Sequence, residues 1–368
     1  MLDDKLKALW TRISPPQKAA FFGCFLSGYL VHLYVFTNII PNSDGLSRIF
    51  DPQQMTVSGR WFLHFASYFN GFTQMPAVIG LFSVLFLALA AALAVSLLGI
   101  RSRALSALSG ALMAAFPAVG YTFLYLFTAS AYCFAIFLAV LSVSLARRGR
   151  WHWLAGCLLL ACSMGTYQAY VTVAIGLSLL VIFRETLDPS ASFSATLRLG
   201  VRLMLFLAAG AVLYYGILLV FLQVKDLELL SYLGMDAASS GYPFSRLPGL
   251  LLDTYKQVAA FFFLPGSANT FTSGWMAVLD LAALALGGGC FLLCMGQEGL
   301  WRARWRPLGG LAMLALLPLG INFGQILSPW SAPTPLMKYA FVLVYLAVVL
   351  LADRALPAAG AGASVLRR

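Results

Sequence analysis

Charged residues are scarce in this sequence: only 13 of its 368 residues are acidic, and only three are histidines. In total 10% of the residues are charged and 61% are hydrophobic. This excludes a soluble domain of such a size, and long apolar runs recur along the whole chain. The runs are continuous rather than alternating, which excludes an outer-membrane barrel. The sequence therefore predicts an all-α polytopic membrane protein.

Cysteines are few, and none lies in a long loop. All six fall inside apolar runs, at positions 24, 133, 157, 162, 290 and 294. This placement excludes a disulfide framework of the kind that holds small secreted domains together. Cys290 and Cys294 share a helix face, but no histidine or acid joins them as metal ligands. We expect all six to be packing residues.

The apolar runs divide into about ten predicted transmembrane helices. Residues 1–18 are expected to form a cytoplasmic amphipathic helix that ends near Pro15 and Pro16, and residues 353–368 a cytoplasmic tail. The domain between them, 19–352, has outer loops at 41–75 and 225–274, each with an interfacial helix. The predicted spans are 19–40, 77–100, 104–120, 128–146, two short ones within 151–183 that meet at 165–168, 201–224, 275–295, 307–327 and 339–352.

The distribution of lysine and arginine supports this topology. Eighteen of the 24 fall on segments that the ten-span arrangement places inside. Six fall outside, at positions 48, 60, 225, 246, 256 and 338. The positive-inside rule then predicts a multi-pass membrane protein with both termini cytoplasmic and both long loops outside. The net charge of +11 is thus a topology signal and not a nucleic-acid surface.

Polar residues suited to chemistry concentrate in the first outer loop. This loop holds Asp44, Asp51, Arg60 and His64, whereas Asp280 is the one acid expected within a span. A transporter buries its working charges near the bilayer midplane. Charge at the outer interface instead favours an enzyme that acts on a lipid-linked polar headgroup. The alternative is a transporter or flippase of lipid-linked sugars.

Glycosyl transfer from a polyprenyl-phosphate sugar suits this arrangement of charges. The phosphate leaves with the lipid, so cations should hold it, and Arg60, Lys256 and Lys338 are candidates. The attacking hydroxyl loses its proton, so a carboxylate should act as general base. Asp44, just beyond the first span, is placed for that role. Arg60 and Lys256 could instead be interface anchors that snorkel, and Asp44 a turn residue.

Three sequence motifs carry a resemblance to a known family. They are NSDGL at 42–46, SGRWF at 58–62 and TYQAYVTVAI at 166–175. With these motifs the chain resembles, over roughly residues 20–350, the GT-C superfamily of membrane glycosyltransferases, and within it the type II Gtr family of O-antigen glucosyltransferases. The resemblance implies a catalytic acid in the first outer loop, which here is Asp44.

The same resemblance implies the partners. An inverting enzyme is expected, with a polyprenyl-phosphate hexose as donor, glucose being the first guess, and a surface glycan or its lipid-linked precursor as acceptor. The enzyme would lie in a bacterial inner membrane, with its active site facing the periplasm. A separate donor synthase and flippase are further expected partners.

The remaining candidates are substrate-binding residues. Tyr167 and Gln168 could bind sugar hydroxyls, since a glutamine at membrane depth needs hydrogen-bond partners, or could only close a hairpin. Asp51 precedes a proline and could begin a turn, and His64 could be structural. Asp44 and Asp51 could together hold a divalent cation, Mg²⁺ or Mn²⁺, but two carboxylates seven residues apart are a weak signal. No metal site is predicted.

Overall fold

The fold is given by a computed structural model that describes residues 10–40, 42, 56–70, 75–229, 244–266, 272–297, 299–328 and 334–356. The described residues are helical, with no strand among them, which confirms the all-α prediction. The helices are α1 Pro15–Thr37, α2 Leu63–Ala66, α3 Pro76–Leu98, α4 Arg103–Ala115, α5 Pro117–Leu124, α6 Leu126–Ala146, α7 Arg150–Thr166, α8 Val171–Thr186, α9 Phe193–Val224, α10 Leu247–Phe263, α11 Gly274–Gln297, α12 Trp305–Ile321, α13 Phe323–Leu327 and α14 Val342–Ala355.

Eight helical segments within the described residues are long and apolar enough to cross a membrane. The protein is therefore a polytopic membrane protein, as predicted. Two further helices, α7 and α12, stand where the fifth and ninth spans are expected. Each has 17 residues, and at ~1.5 Å per residue each is about 26 Å long, slightly less than the hydrocarbon core of a bilayer.

Two helix starts differ from the prediction, and capping explains both. Ser14 accepts a hydrogen bond from the Gln17 amide, and the Gln17 side chain accepts one from the Ser14 amide. This capping box starts the first spanning helix at Pro15 and not at residue 19. The two prolines occupy the first turn of this helix, where proline is tolerated, and a separate helical turn at residues 10–12 ends before them.

Helix α9 likewise starts earlier than the expected residue 201. The Ser192 hydroxyl accepts from the Ala195 amide at 3.3 Å and caps a helix of 32 residues. Arg198 therefore lies on this helix, before the predicted start of the span. Helix α10 covers the segment LPGLLLDTYKQVAAFFF, which is the interfacial helix that the sequence predicts in the second outer loop. The six cysteines are free thiols, and five of them are buried.

Helix α6 lies in the centre of the bundle, packed by α3 and α7. Helices α9 and α11 are mostly exposed to the surroundings. Helix α1 crosses α4 closely, because an added Cβ at Gly23 or Gly110 would collide with the backbone of the other helix. The enclosed helices α6, α8 and α14 thus form the scaffold that positions the polar residues at the helix breaks.

One end of the bundle, here called the basic end, is formed by the turns at 99–102, 147–149 and 187–192. Its arginines bind the chain's own carbonyls. Arg184 donates to Leu97 O at 2.9 Å, and Arg202 donates to Ala146 O at 2.7 Å. Buried Arg306 donates to the carbonyls of Thr186, Asp188, Pro189 and Ala191. These guanidinium groups satisfy helix C-termini that otherwise lack partners.

Candidate functional site

At the opposite end, the segment before α2 docks against the break between α7 and α8. The Phe62 amide donates to Gly165 O at 2.7 Å, and the Gln168 side chain donates to Ser58 O at 2.8 Å. Trp61 packs on Gly165, where any Cβ would lie 2.6 Å from the indole ring. The motifs SGRWF and TYQAY, far apart in sequence, are therefore in direct contact.

This docking corrects one expectation about the first outer loop. The sequence predicts an interfacial helix in this loop, on which aromatic side chains would be exposed. Phe65 and Tyr68 are indeed exposed, but Trp61 is 6% exposed and stacks on Phe221 of α9. The reason is Gly165, whose missing side chain lets the indole approach the hairpin backbone.

Arg60 lies on a platform formed by Tyr132 and Tyr167, whose rings also contact Tyr170, and these three tyrosines are here called the tyrosine cluster. Its guanidinium carbon is 4.9 Å from the centroid of the Tyr167 ring, and Nη1 donates to the Tyr132 hydroxyl at 3.3 Å. The Tyr132 and Tyr167 rings are stacked at 4.9 Å. An arginine over an aromatic face keeps its charge while its orientation is restricted.

The backbone that carries Arg60 is held from two sides. Tyr214 of α9 is buried and donates to Gly59 O at 3.0 Å. Its hydroxyl also interacts with Gln168, whose amide binds the Ser58 carbonyl. Arg60 thus follows two residues whose carbonyls are fixed by neighbouring elements. This preorganisation is typical of a group that must meet a ligand in one orientation.

Lys338 lies next to the tyrosine cluster, on the 3₁₀ segment Pro335–Phe341 that precedes α14. It is 6% exposed, and its ammonium lies 5.8 Å from the Phe261 ring centroid. The adjacent Tyr339 contacts Tyr170 at a ring distance of 6.5 Å and donates to Met113 O at 3.2 Å. Lys338 is therefore joined to the Arg60 platform through Tyr339 and Tyr170.

Three amide side chains form a second polar group, here called the amide cluster: Gln257, Asn322 and Gln325. Asn322 interrupts the helix between α12 and α13 and donates to Gln257 Oε1 at 3.1 Å. Gln325 is 6% exposed, and its Oε1 has no hydrogen-bond partner among the described residues. Gln257 lies four residues before Phe261, so the amide cluster and Lys338 contact one face of α10.

The structure therefore brings together three of the predicted site residues, Arg60, Tyr167 and Gln168, with Lys338 beside them. His64 is half-buried next to Phe65 and Tyr68. Lys256 is exposed on α10 and pairs with Asp253 at 3.3 Å.

Asp44 and Asp51 lie outside the described residues, so their roles stay predictions. Within the part of the chain that is described, no group of three or more histidines, cysteines or acids could hold a metal ion.

Sequence reasoning missed the tyrosines at 132, 170 and 214 and the amides at 257, 322 and 325. Tyrosines are ordinary in apolar runs, so nothing marked them out. The amides did carry a signal, since a buried Asn or Gln in a membrane helix needs a partner. Together these groups offer cations, hydroxyls and amides, which can bind a phosphate and sugar hydroxyls.

Comparison with known proteins agrees with this chemistry. The model of the family described as glucosyl transferase GtrII matches residues 33–351. No curated protein and no solved structure matches the chain. The family match covers most of the sequence, including both motifs that meet at Arg60 and the segment of Lys338. The chain thus belongs to the GtrII glucosyl transferase family and is a membrane-embedded glycosyltransferase.

Proposed function

We propose that the protein is an inverting GT-C-type enzyme that moves a hexose from a polyprenyl-phosphate donor to a surface glycan or lipid-linked acceptor. Glucose is the first candidate for this hexose. The observation that carries this proposal is the placement of Arg60. Its guanidinium is oriented by Tyr167 and Tyr132 where the two family motifs meet. Family membership supports the transfer of a glucosyl group, and the site adds a cation suited to the leaving phosphate.

The position of Arg60 along the bundle suits a lipid-linked donor. Tyr132 lies six residues inside α6, so the hydrogen-bonded guanidinium is about 9 Å from the start of that helix, at ~1.5 Å per residue. A headgroup phosphate that remains attached to its lipid can reach this level from the membrane. A free nucleotide sugar would have no need of such a recessed cation.

The proposed reaction is a single displacement. The acceptor hydroxyl oxygen attacks the anomeric carbon, and the bond from that carbon to the phosphate oxygen breaks. The phosphate leaves on its lipid with the bonding electrons, while Arg60 and Lys338 stabilise its charge. The hydroxyl proton passes to the carboxylate of Asp44. Attack from the face opposite the phosphate inverts the configuration of the sugar.

We assign the remaining groups to substrate recognition. Gln168 and Tyr167 line the platform and would bind hydroxyls of the transferred hexose. The amide cluster, with the buried acceptor Gln325 Oε1, is suited to further sugar hydroxyls.

We further assign the protein to a bacterial inner membrane, with the basic end cytoplasmic and the tyrosine cluster toward the periplasm.

The test uses the full chain in a bacterial strain that makes polyprenyl-phosphate glucose. Mass and linkage analysis of the surface glycan, with and without the gene, should reveal one added hexose per acceptor unit. The purified protein should also release free polyprenyl phosphate from radiolabelled donor in the presence of that glycan. If the labelled lipid only changes leaflet in vesicles and never loses its sugar, the protein is a carrier and the proposal fails.

A further inference from the structure

A groove opens between α7 and α9 at the basic end, away from the tyrosine cluster. Its volume is about 580 Å³. Its rim is basic, with Arg150 from the start of α7 and Arg198 and Arg202 from α9. None of the residues that line it is acidic. The catalytic proposal above assigns no role to this groove.

The wall of the groove is apolar and follows one face of α9. Leu197, Val201 and Leu205 recur every four residues, and they are 55%, 43% and 54% exposed. Arg198 and Arg202 form the neighbouring stripe, also four residues apart. The groove therefore presents a charged strip beside an apolar strip, both running along the helix axis.

The three arginines are not equivalent. Arg202 is bound to the chain, since it donates to the carbonyls of Ala146 and Arg148, and its own carbonyl accepts from Trp153 at 3.4 Å. Arg150 and Arg198 are exposed on the rim. Arg202 and Trp153 thus hold α9 against the turn before α7, and this leaves the two rim arginines to meet a ligand.

The length of α9 sets the level of the groove relative to the bilayer. Its 32 residues span about 48 Å, longer than the ~30 Å hydrocarbon core, so roughly 12 residues must lie beyond that core. With the hydrocarbon core at the predicted span 201–224, the extension is at the start of α9 and Arg198 lies at the depth of the lipid headgroups. Leu205, two turns further, then reaches the acyl chains.

We propose that this groove binds one anionic glycerophospholipid. The phosphodiester would lie between Arg150 and Arg198, and one acyl chain along Leu197, Val201 and Leu205. Charge complementarity favours this occupant, because basic grooves between membrane helices suit anionic headgroups. A soluble phosphate would make no use of the apolar wall, and an acidic peptide would not lie at the level of the acyl chains.

The experiment is native mass spectrometry of the purified full chain with added phosphatidylglycerol or phosphatidylcholine. One phosphatidylglycerol should be retained in preference to phosphatidylcholine. The double variant Arg150→Gln/Arg198→Gln should lower that retention at least about tenfold, because it removes both headgroup charges. Both side chains are exposed, so the melting temperature without lipid should not change. The matched control is Arg103→Gln/Arg304→Gln, two exposed arginines outside the groove.

A second variant separates a lipid from a free phosphate. Val201→Trp fills the apolar wall and leaves every charge in place, so it should also reduce retention of phosphatidylglycerol. Inorganic phosphate at the same concentration should not compete. The proposal is overturned if phosphatidylglycerol and phosphatidylcholine are retained equally. It is also overturned if the control variant loses as much phosphatidylglycerol retention as the groove variant, or if Val201→Trp binds phosphatidylglycerol normally. None of these readouts uses glycosyl transfer.

Discussion

Arg306 at the basic end is buried and Arg60 at the opposite end is half-buried, and their guanidinium groups have different surroundings. Arg306 is 6% exposed and donates to four backbone carbonyls around the end of α8. Arg60 lies over the ring of Tyr167 and reaches a tyrosine hydroxyl. The first arginine is bound to the backbone, whereas the second is oriented by tyrosine side chains, and we propose that it donates to the donor phosphate through the N–H groups in its plane.

The backbone differs between the two ends in the same way. At the basic end, helices stop at short turns whose free groups are capped. The Asp353 carboxylate, for example, accepts from the amides of Arg101 and Ser102 at 3.0 and 2.8 Å. At the opposite end the helices break at Tyr125, Tyr167 and Asn322. Irregular backbone at membrane depth is tolerated where it is buried or lines a cavity, which is where substrates bind.

The largest expected effect concerns which end faces which side of the membrane. Reporter tags in the 147–150 turn and at the C-terminus should read as cytoplasmic, and a tag at 231–245 as external, because the basic turns stay inside. Protease protection in whole cells gives an all-or-none answer. An external signal from the 147–150 turn would reverse the two ends and place the tyrosine cluster in the cytoplasm.

The next effect is catalytic. Asp44→Asn retains the side-chain size and removes the basic carboxylate, so transfer should fall by roughly 10²–10⁴-fold, the usual contribution of a general base. Donor binding should survive, since cations hold the phosphate. The control is Asp226→Asn: Asp226 is exposed with φ 51°, a conformation that asparagine also adopts. Near-normal transfer by Asp44→Asn would move the search for the base to Asp51.

A third experiment tests whether Arg60, at the end of the bundle opposite the basic end, binds the donor phosphate. Arg60→Ala should reduce transfer at least about tenfold, because a charge-assisted bond to phosphate contributes roughly 1.5–3 kcal/mol. Lys338→Ala should act in the same direction. Donor titrations with purified protein measure the effect, with Arg246→Ala, an exposed arginine of the second long loop, as control. If donor use is unchanged in both variants, the two cations anchor the protein at the interface and nothing more.

Replacing Arg306 should lower the stability of the protein and leave transfer nearly unchanged, the reverse of the effect expected for Arg60→Ala. Arg306→Ala leaves several buried carbonyls without a donor, so the free energy of unfolding should fall by roughly 2–4 kcal/mol. Transfer per folded molecule should stay near normal. Thermal unfolding in detergent, read beside a donor titration, separates the two quantities. If Arg306→Ala melts normally but transfers poorly, Arg306 acts in catalysis and not in the fold, and the contrast with Arg60 is wrong.

Asp353 should give the smallest effect. Asp353→Ala removes the acceptor for two amides at the start of α4, so stability should decrease by about 1–2 kcal/mol. The exposed Arg101, 3.8 Å from this carboxylate, should contribute little. Comparison of melting temperatures for Asp353→Ala and Arg101→Ala tests this ranking. Equal losses would mean that the ion pair, and not the cap, stabilises the turn.

Several residues of the candidate site could be predicted from the sequence, because polar residues are rare in an apolar chain. Arg60, Tyr167 and Gln168 were recognised in this way, and the break at 165–168 lies where the hairpin was predicted. The burial of Trp61 could not be predicted, since it depends on the close approach that the missing side chain of Gly165 allows. The start of α9 was missed because hydropathy alone ignores the cap at Ser192.

The sequence by itself determined that the protein is an all-α polytopic membrane protein, and it carries the motifs on which the family resemblance depends. These properties depend on local hydrophobicity and on short motifs, and each can be read within a window of about 20 residues. Only the tertiary structure decided that Ser58 lies against Gln168, 110 residues away, and that Tyr339, the neighbour of Lys338, contacts Tyr170. Such contacts depend on how the helices pack and on which glycines allow close approach, and no local pattern encodes that geometry.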